Sequence, residues 1–335
     1  MKFGCSLEMV NMRISEPGFK HKLSKSYWVE LYRLIAAAGF KGVELPYNPF
    51  MTDGIAFNMG RSGMPINRYS IETKYGSVRD FVDLLRESGI DEITGVHVSA
   101  NDAMIEVISA FRQPEHLFGL IEQAVAEAIE FLAECGGRNL VLSPTPEIGL
   151  ADRHFGSGAG DRGYAPGFLA EIAKLVNRLG EAAAARGIQL SVRNEFWSLI
   201  RGREIDAFLE RLDPHYVAYS PDLAHLAIAD ADPAEVVRRH RDRLSAVRFS
   251  DTFFRDVERN FEKPNPEIPI AGPQRVFCDL GDGRVDIAGV YRVLKESGYD
   301  GWVICESKKT LNVHKALLKM RWSVDHGFAK ATQGA

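Results

Sequence analysis

The chain has 335 residues, 45% hydrophobic and 26% charged, with a formal net charge of -4. This is the composition of an ordinary globular protein. The slight acidity argues against a duplex nucleic-acid footprint, and no apolar run approaches the roughly 20 residues of a membrane span.

Short β-branched or apolar runs alternate with amphipathic segments along the whole chain. The spacing predicts strands at 3–10, 42–47, 93–100, 139–144, 189–196, 216–223, 244–251 and 301–307. Helices are predicted between and after them at roughly 26–39, 77–88, 115–135, 166–186, 203–212, 233–242, 287–297 and 309–323. SGI, GGR, RGI and SGY put a glycine at helix C-terminal caps. Pro233, preceded by Asp230 and Asp232, marks a helix start.

Eight strand–helix pairs in succession imply one parallel sheet with helical crossovers. Eight is the number that closes into a barrel. An open doubly wound sheet is disfavoured, because no GxGxxG follows the first strand. The expected fold class is therefore α/β: a single (β/α)8 TIM barrel over residues 1–335, with long loops after strands 2, 4 and 7. Those loops span 48–76, 147–167 and 251–286. Loops of that length in a compact domain usually form lids or binding walls.

The cysteines Cys5, Cys135, Cys278 and Cys305 lie far apart with no CxxC spacing. The N-terminus, MKFGCSLEMV, lacks the features of a signal peptide. Free thiols in a cytoplasmic protein are the expectation.

Charged residues stand at four predicted strand ends: Arg193 in LSVRNEF, Asp222 in YSPDLAH, Arg248 in AVRFSD and Glu306 in WVICES. In a parallel barrel these ends converge on one mouth, where the chemistry sits. Two acids and two guanidiniums there can form an ion-paired polar layer. They make a poor metal shell, because Arg has no lone pair to donate.

Three motifs resemble the xylose isomerase-like TIM barrel superfamily, which includes sugar phosphate isomerases and epimerases, inosose dehydratase and C-glycoside-cleaving enzymes. GVELPY resembles its second-strand signature. SPDLAHLAIADADP resembles its sixth-strand pattern. LGDGRVDIAGVYRVLKESGYDGWVICE resembles its C-terminal ending and is the most specific of the three. The resemblance covers nearly the whole chain. It implies a divalent ion held by Glu, Asp, His and Glu from strands five to eight, with the two glutamates moving protons across an enediolate. Asp222 and Glu306 match that pattern. Arg193 stands where the first Glu is expected and Arg248 where the His is expected.

Two readings of the site follow. In one, a metal (Mn2+, Mg2+ or Zn2+) is held by Asp222, Glu306 and Glu195, the last reaching back from two residues beyond Arg193 on the same strand face. In the other, which the two arginines favour, the metal is absent and the guanidiniums bind a carboxylate or phosphate of the substrate, or an oxyanion. Glu195, Glu306 and His97 are then the candidates for proton transfer. Arg193, Arg248, His225 and Glu44 are the candidates for substrate contact. Glu44 is also a candidate ion-pair partner for Arg193, and Asp251 for Arg248.

The expected function is sugar isomerase or epimerase chemistry, by proton abstraction beside a carbonyl of a keto-sugar or sugar acid. The alternatives are a lyase or dehydratase on the same scaffold, or a non-catalytic ligand-binding or partner subunit. The expected partner is a small carbohydrate-derived molecule, with an anionic group in the arginine reading, and neither nucleic acid nor membrane. Homo-oligomerisation is left open.

Overall fold

The computed structural model describes residues 1–12, 18–51, 63–110, 112–113, 115–156, 162–259, 276–308 and 310–328. Its eight strands are β1 (Lys2–Ser6), β2 (Gly42–Pro46), β3 (Glu92–Ser99), β4 (Asn139–Ser143), β5 (Gln189–Val192), β6 (Val217–Tyr219), β7 (Ala246–Phe249) and β8 (Trp302–Cys305). They form one parallel sheet in the order β6-β5-β4-β3-β2-β1-β8-β7. The parallel bridges Tyr219↔Leu244 and Asp222↔Arg248 join β6 to β7 and close the barrel. The second of these bridges pairs two residues of the predicted site.

Helices cover the outside because each has one apolar stripe. In the helix His116–Cys135, Leu117, Leu120, Ile121, Ala124, Val125, Ala128, Ile129, Phe131 and Leu132 are buried. Their three- and four-residue spacing lays one face against the sheet. Gly136, at φ 77°, ends this helix in the left-handed region that glycine enters without strain.

Seven of the eight strands are shorter than predicted, and this moves the site. Arg193, Asp222 and Glu306 lie just beyond β5, β6 and β8, while Glu44 and Arg248 lie within β2 and β7. Helices also stand where none was predicted. Ala100–Ser109 follows β3 directly, and Leu223–Ile228 follows β6. Arg68–Tyr75 and Ile148–Phe155 occupy parts of the predicted long loops after strands 2 and 4. The stretches 52–62, 157–161 and 260–275 of the three predicted loops lie outside the described residues.

The GDGRVD turn has a structural task. Asp251, at the end of β7, accepts hydrogen bonds from the backbone N–H groups of Thr252, Gly281, Gly283 and Val285 at 2.9, 3.0, 2.9 and 3.1 Å. It is therefore a clamp on the turn and not the predicted ion-pair partner of Arg248. A Cβ at Gly283 would lie 2.0 Å from the Asp251 carboxylate and 2.6 Å from the Thr252 nitrogen. Gly283→Ala is expected to displace the turn and to cost about 1–3 kcal/mol, the usual penalty for overpacking. A thermal melt checks this, and an unchanged Tm would show that the turn has room to give.

Candidate active site

Every strand of the barrel sends a side chain into one buried polar cluster at the C-terminal mouth. Glu8 follows β1, Glu44 lies in β2, His97 in β3 and Ser143 in β4. Arg193 and Asp222 follow β5 and β6, Arg248 lies in β7, and Glu306 and Lys308 follow β8.

Arg248 is 1% exposed. Its Nη2 donates to both oxygens of Glu44, at 2.8 Å to Oε2, and its Nη1 donates to Glu306 Oε2 at 3.0 Å. Arg193 Nη2 donates to Asp222 Oδ2 at 2.8 Å, and its Nη1 lies 3.4 Å from Glu8 Oε2. His97 Nδ1 bonds the other Glu8 oxygen, and its Nε2 lies 2.9 Å from Ser143 Oγ.

Lys308 completes the cluster. Its Nζ lies 2.9 Å from Asp222 Oδ2 and 2.7 Å from Glu306 Oε2. It therefore shares one oxygen with Arg193 and the other with Arg248. Asp222 is also held from its other side. Its Oδ1 accepts from Ser250 Oγ at 2.5 Å and from the His225 backbone N–H at 3.4 Å, as the N-cap of the helix Leu223–Ile228.

The cations set the charge state of the acids. Burial opposes ionisation of Asp222, but Lys308, Arg193 and Arg248 more than reverse this and hold its carboxyl well below the usual range. Burial is likewise outweighed at Glu306, chiefly by Lys308 and then Arg248, and its carboxyl is lowered. At Glu8, burial is outweighed by His97 and Arg193.

A second group of acids stands on the β3–β5 side. Burial, with the charges of Glu8 and Glu195 nearby, pushes the Asp102 carboxyl up to about 7, against the opposing influence of His97. Burial and the charge of Glu195 also raise Glu147. Glu195 Oε2 accepts from the Trp197 indole N–H at 3.0 Å. Asp102, in the first turn after β3, and Glu147, at the end of the loop after β4, are both partly exposed.

The structure corrects one expected pairing and shows how the other expected residues are held. Glu44 pairs with Arg248 and not with Arg193. Arg193, Arg248 and Glu44, expected to meet substrate, are 2%, 1% and 2% exposed and already engaged with one another's partners. His225 is wholly enclosed by the rings of Phe196, Trp197 and Phe277. Its Nδ1 accepts the Phe196 backbone N–H at 3.1 Å, and burial lowers its pKa well below the usual value. The neutral ring backs Asp222, with Nε2 3.9 Å from Oδ2, and does not line the accessible wall. Glu195 is held instead by its own loop: its side chain accepts from the Trp197 indole N–H and its backbone carbonyl from Ser198 Oγ, both at 3.0 Å. Among the described residues, no group of three or more His, Cys, Asp or Glu side chains is arranged to hold a metal ion.

Sequence reading missed Glu8, Asp102, Glu147 and Lys308. Lys308 had a signal, since it stands two residues beyond Glu306, the same spacing that links Arg193 and Glu195. Asp102 and Glu147 follow the ends of β3 and β4, where any polar residue faces the mouth. Glu8 was hidden inside a strand predicted to run on to residue 10.

Among the described residues, no helix is long and apolar enough to cross a membrane. The chain is similar to inosose dehydratase from Bacillus velezensis, with 30% identity over 135 residues, 40% of this chain and 45% of that protein. Inosose dehydratase from Lacticaseibacillus casei is 29% identical over 140 residues, 41% of this chain and 46% of that protein. The chain thus spans less than half the length of the curated relatives it matches. Among solved structures, it is similar to D-allulose 3-epimerase from Methylomonas sp., with a TM-score of 0.63, 16% identity and coverage of 98% of both chains. It is also similar to the probable 3-DHS dehydratase of petrobactin synthesis from Bacillus anthracis, with a TM-score of 0.66, 14% identity and coverage of 97% and 99%. These relatives are enzymes, and at such low identity the solved structures speak to fold alone. The model of the xylose isomerase-like TIM barrel family matches residues 32–324, and the chain belongs to that family.

Proposed function

We propose that this protein is a lyase of the dehydratase type, acting on a neutral polyhydroxylated ketone. One observation carries this reading: Asp102, Glu147 and Glu195, mouth acids that form no ion pair with another described residue, all come from the β3–β5 side. Epimerisation by two bases needs a proton acceptor on each face of the substrate. The acid on the other side, Glu306, is gripped by Arg248 and Lys308, and its lowered pKa makes it a weak base. A syn elimination needs its base and acid on one side only, and the curated relatives named above are dehydratases. The order expected from the sequence, isomerase before lyase, is therefore reversed here.

In the proposed step, Glu195 takes the proton from the carbon beside the carbonyl. The C–H electrons form a C=C bond and the carbonyl electrons move onto its oxygen. Lys308 has three N–H donors, and Asp222 and Glu306 take two; the third, on an ammonium that also lies over the Phe277 ring at 5.4 Å, is assigned to that oxygen. The oxygen's electrons then return, the β C–O bond breaks, and Asp102 supplies the proton with which the hydroxyl leaves as water. A carboxyl whose pKa is about 7 suits this acid role.

The substrate is assigned as neutral because the cluster has no spare positive charge. Arg193, Arg248 and Lys308 face Glu8, Glu44, Asp222 and Glu306. An added carboxylate or phosphate would have to displace an existing pair and would also face the second group of acids. This replaces the anionic substrate that the sequence suggested.

Four outcomes are expected. Incubated with a neutral polyhydroxylated ketone, the protein should yield a product lighter by one water, detectable by mass spectrometry. An epimer of unchanged mass would instead favour the isomerase reading, and the same skeleton carrying a carboxylate should react more slowly. Lys308→Met should lower kcat by about a hundred- to a thousandfold, the usual cost of losing one oxyanion donor. Glu195→Gln should lower it by about a hundredfold or more. Steady-state kinetics that leave kcat intact in either variant count against the assigned roles.

The acid role of Asp102 also fixes a sign. Activity should fall as pH rises through about 7, and Asp102→Asn should remove that limb along with most of the turnover. Because the folded-state value is raised above the unfolded one, the folded protein keeps a proton that the unfolded chain releases. Stability is therefore lost as pH rises from the ordinary carboxylate range to about 7. Asp102→Asn should be more stable than the parent at pH 8, with the gain shrinking toward pH 5. A gain independent of pH in thermal melts would exclude the raised carboxyl as its cause.

A further inference from the structure

The family resemblance implies a divalent ion at the position bounded by strands five to eight, and the residues here do not fit one. Such an ion needs carboxylate or imidazole lone pairs at about 2.0–2.2 Å. Asp222 Oδ2 already accepts from Arg193 and Lys308 at 2.8 and 2.9 Å, and its Oδ1 from Ser250 at 2.5 Å. Glu306 Oε2 accepts from Arg248 and Lys308 at 3.0 and 2.7 Å. The two remaining ligand positions carry guanidiniums, which have no lone pair and repel a cation.

We propose that Lys308 is the resident cation of this barrel: its ammonium sits between Asp222 and Glu306 where the metal-dependent members of the family hold a divalent ion, and with Arg193 and Arg248 it excludes such ions from the site. An ammonium bridging two carboxylates supplies the same link between strands six and eight that a bound ion would. It is tethered by its own backbone and needs no loading from solution. The inference concerns what the site binds and holds whether or not elimination is the reaction.

The test uses the full chain and Mn2+ alone. After equilibration with excess Mn2+ and removal of free ion, elemental analysis of the wild type should find no stoichiometric metal, and its thermal melt should not shift. A triple variant, Arg193→Glu, Arg248→His and Lys308→Ser, restores the ligand types of the metal-dependent pattern around Asp222 and Glu306. It should take up one Mn2+ per chain, with a Tm rise of about 5 °C at a hundredfold excess over Kd. One Mn2+ bound per wild-type chain overturns the inference. So does a triple variant that is folded by circular dichroism yet takes up none. If the triple variant does not fold, the wild-type measurement decides alone, repeated with Mg2+ and Zn2+.

Discussion

Arg248 leaves β7 and meets carboxylates from β2 and β8. A guanidinium is costly in a protein interior unless its charge is paired, and here the two terminal nitrogens are bonded while Nε, 3.7 Å from Asp222 Oδ2, makes no hydrogen bond. Glu44 answers with two oxygens and Glu306 with one, and the backbone at Arg248 forms the bridge to Asp222 that helps to close the barrel. Taking away Arg248 would leave the buried Glu44 without its ion-pair partner, at a cost of about 3–5 kcal/mol. The rest of the cluster inherits this constraint. Glu306, once fixed by Arg248, presents the same oxygen to Lys308, and Lys308 presents its ammonium to Asp222, which Arg193 holds from the other side.

This chain of shared oxygens separates the mouth into two chemically different regions. Around β6–β8, acids and cations cancel, and the acids are kept ionised by their partners. Around β3–β5, Asp102 and Glu147 lie near other acids, and burial raises both. The first region offers fixed N–H donors at short range without a surplus of positive charge. The second offers one carboxyl, Asp102, pushed up to about 7, and another, Glu147, raised above its usual range. Pairs of carboxyls pushed in opposite directions by their surroundings are a common basis for dividing acid and base roles.

The barrel was legible because its signals are local and repeated. Apolar runs and amphipathic helices recur eight times, four glycine caps mark helix ends, and each occurrence supports the others. Strand ends were less legible, because the bends at Arg193 and Asp222 depend on tertiary contacts that no local pattern encodes. Arg193, Asp222, Arg248 and Glu306 were found because charged residues interrupt apolar strands. Their pairing was not, since Glu44 and Arg248 lie 204 residues apart in the chain and only closure of the barrel brings them together. His225 misled for the opposite reason. Its spacing from Asp222 matched a familiar pattern, but the enclosing rings of Phe196, Trp197 and Phe277 come from two separate segments and are invisible to spacing.

A tethered ammonium differs from a divalent ion in more than charge. A metal with open positions can chelate two neighbouring oxygens of a substrate, the carbonyl and the adjacent hydroxyl, and hold both in place through an enediolate. Lys308 has one donor left after Asp222 and Glu306 take theirs. It can steady a single oxyanion and leaves the neighbouring hydroxyls unclamped. Exchange of a chelating ion for a single donor therefore weakens the case for proton shuttling across two held oxygens. It suits a reaction in which one oxygen gathers charge while another departs. The same substitution that removes the metal ligands from strands five and seven thus bears on which bond breaks, and it points in the same direction as the one-sided placement of Asp102, Glu147 and Glu195.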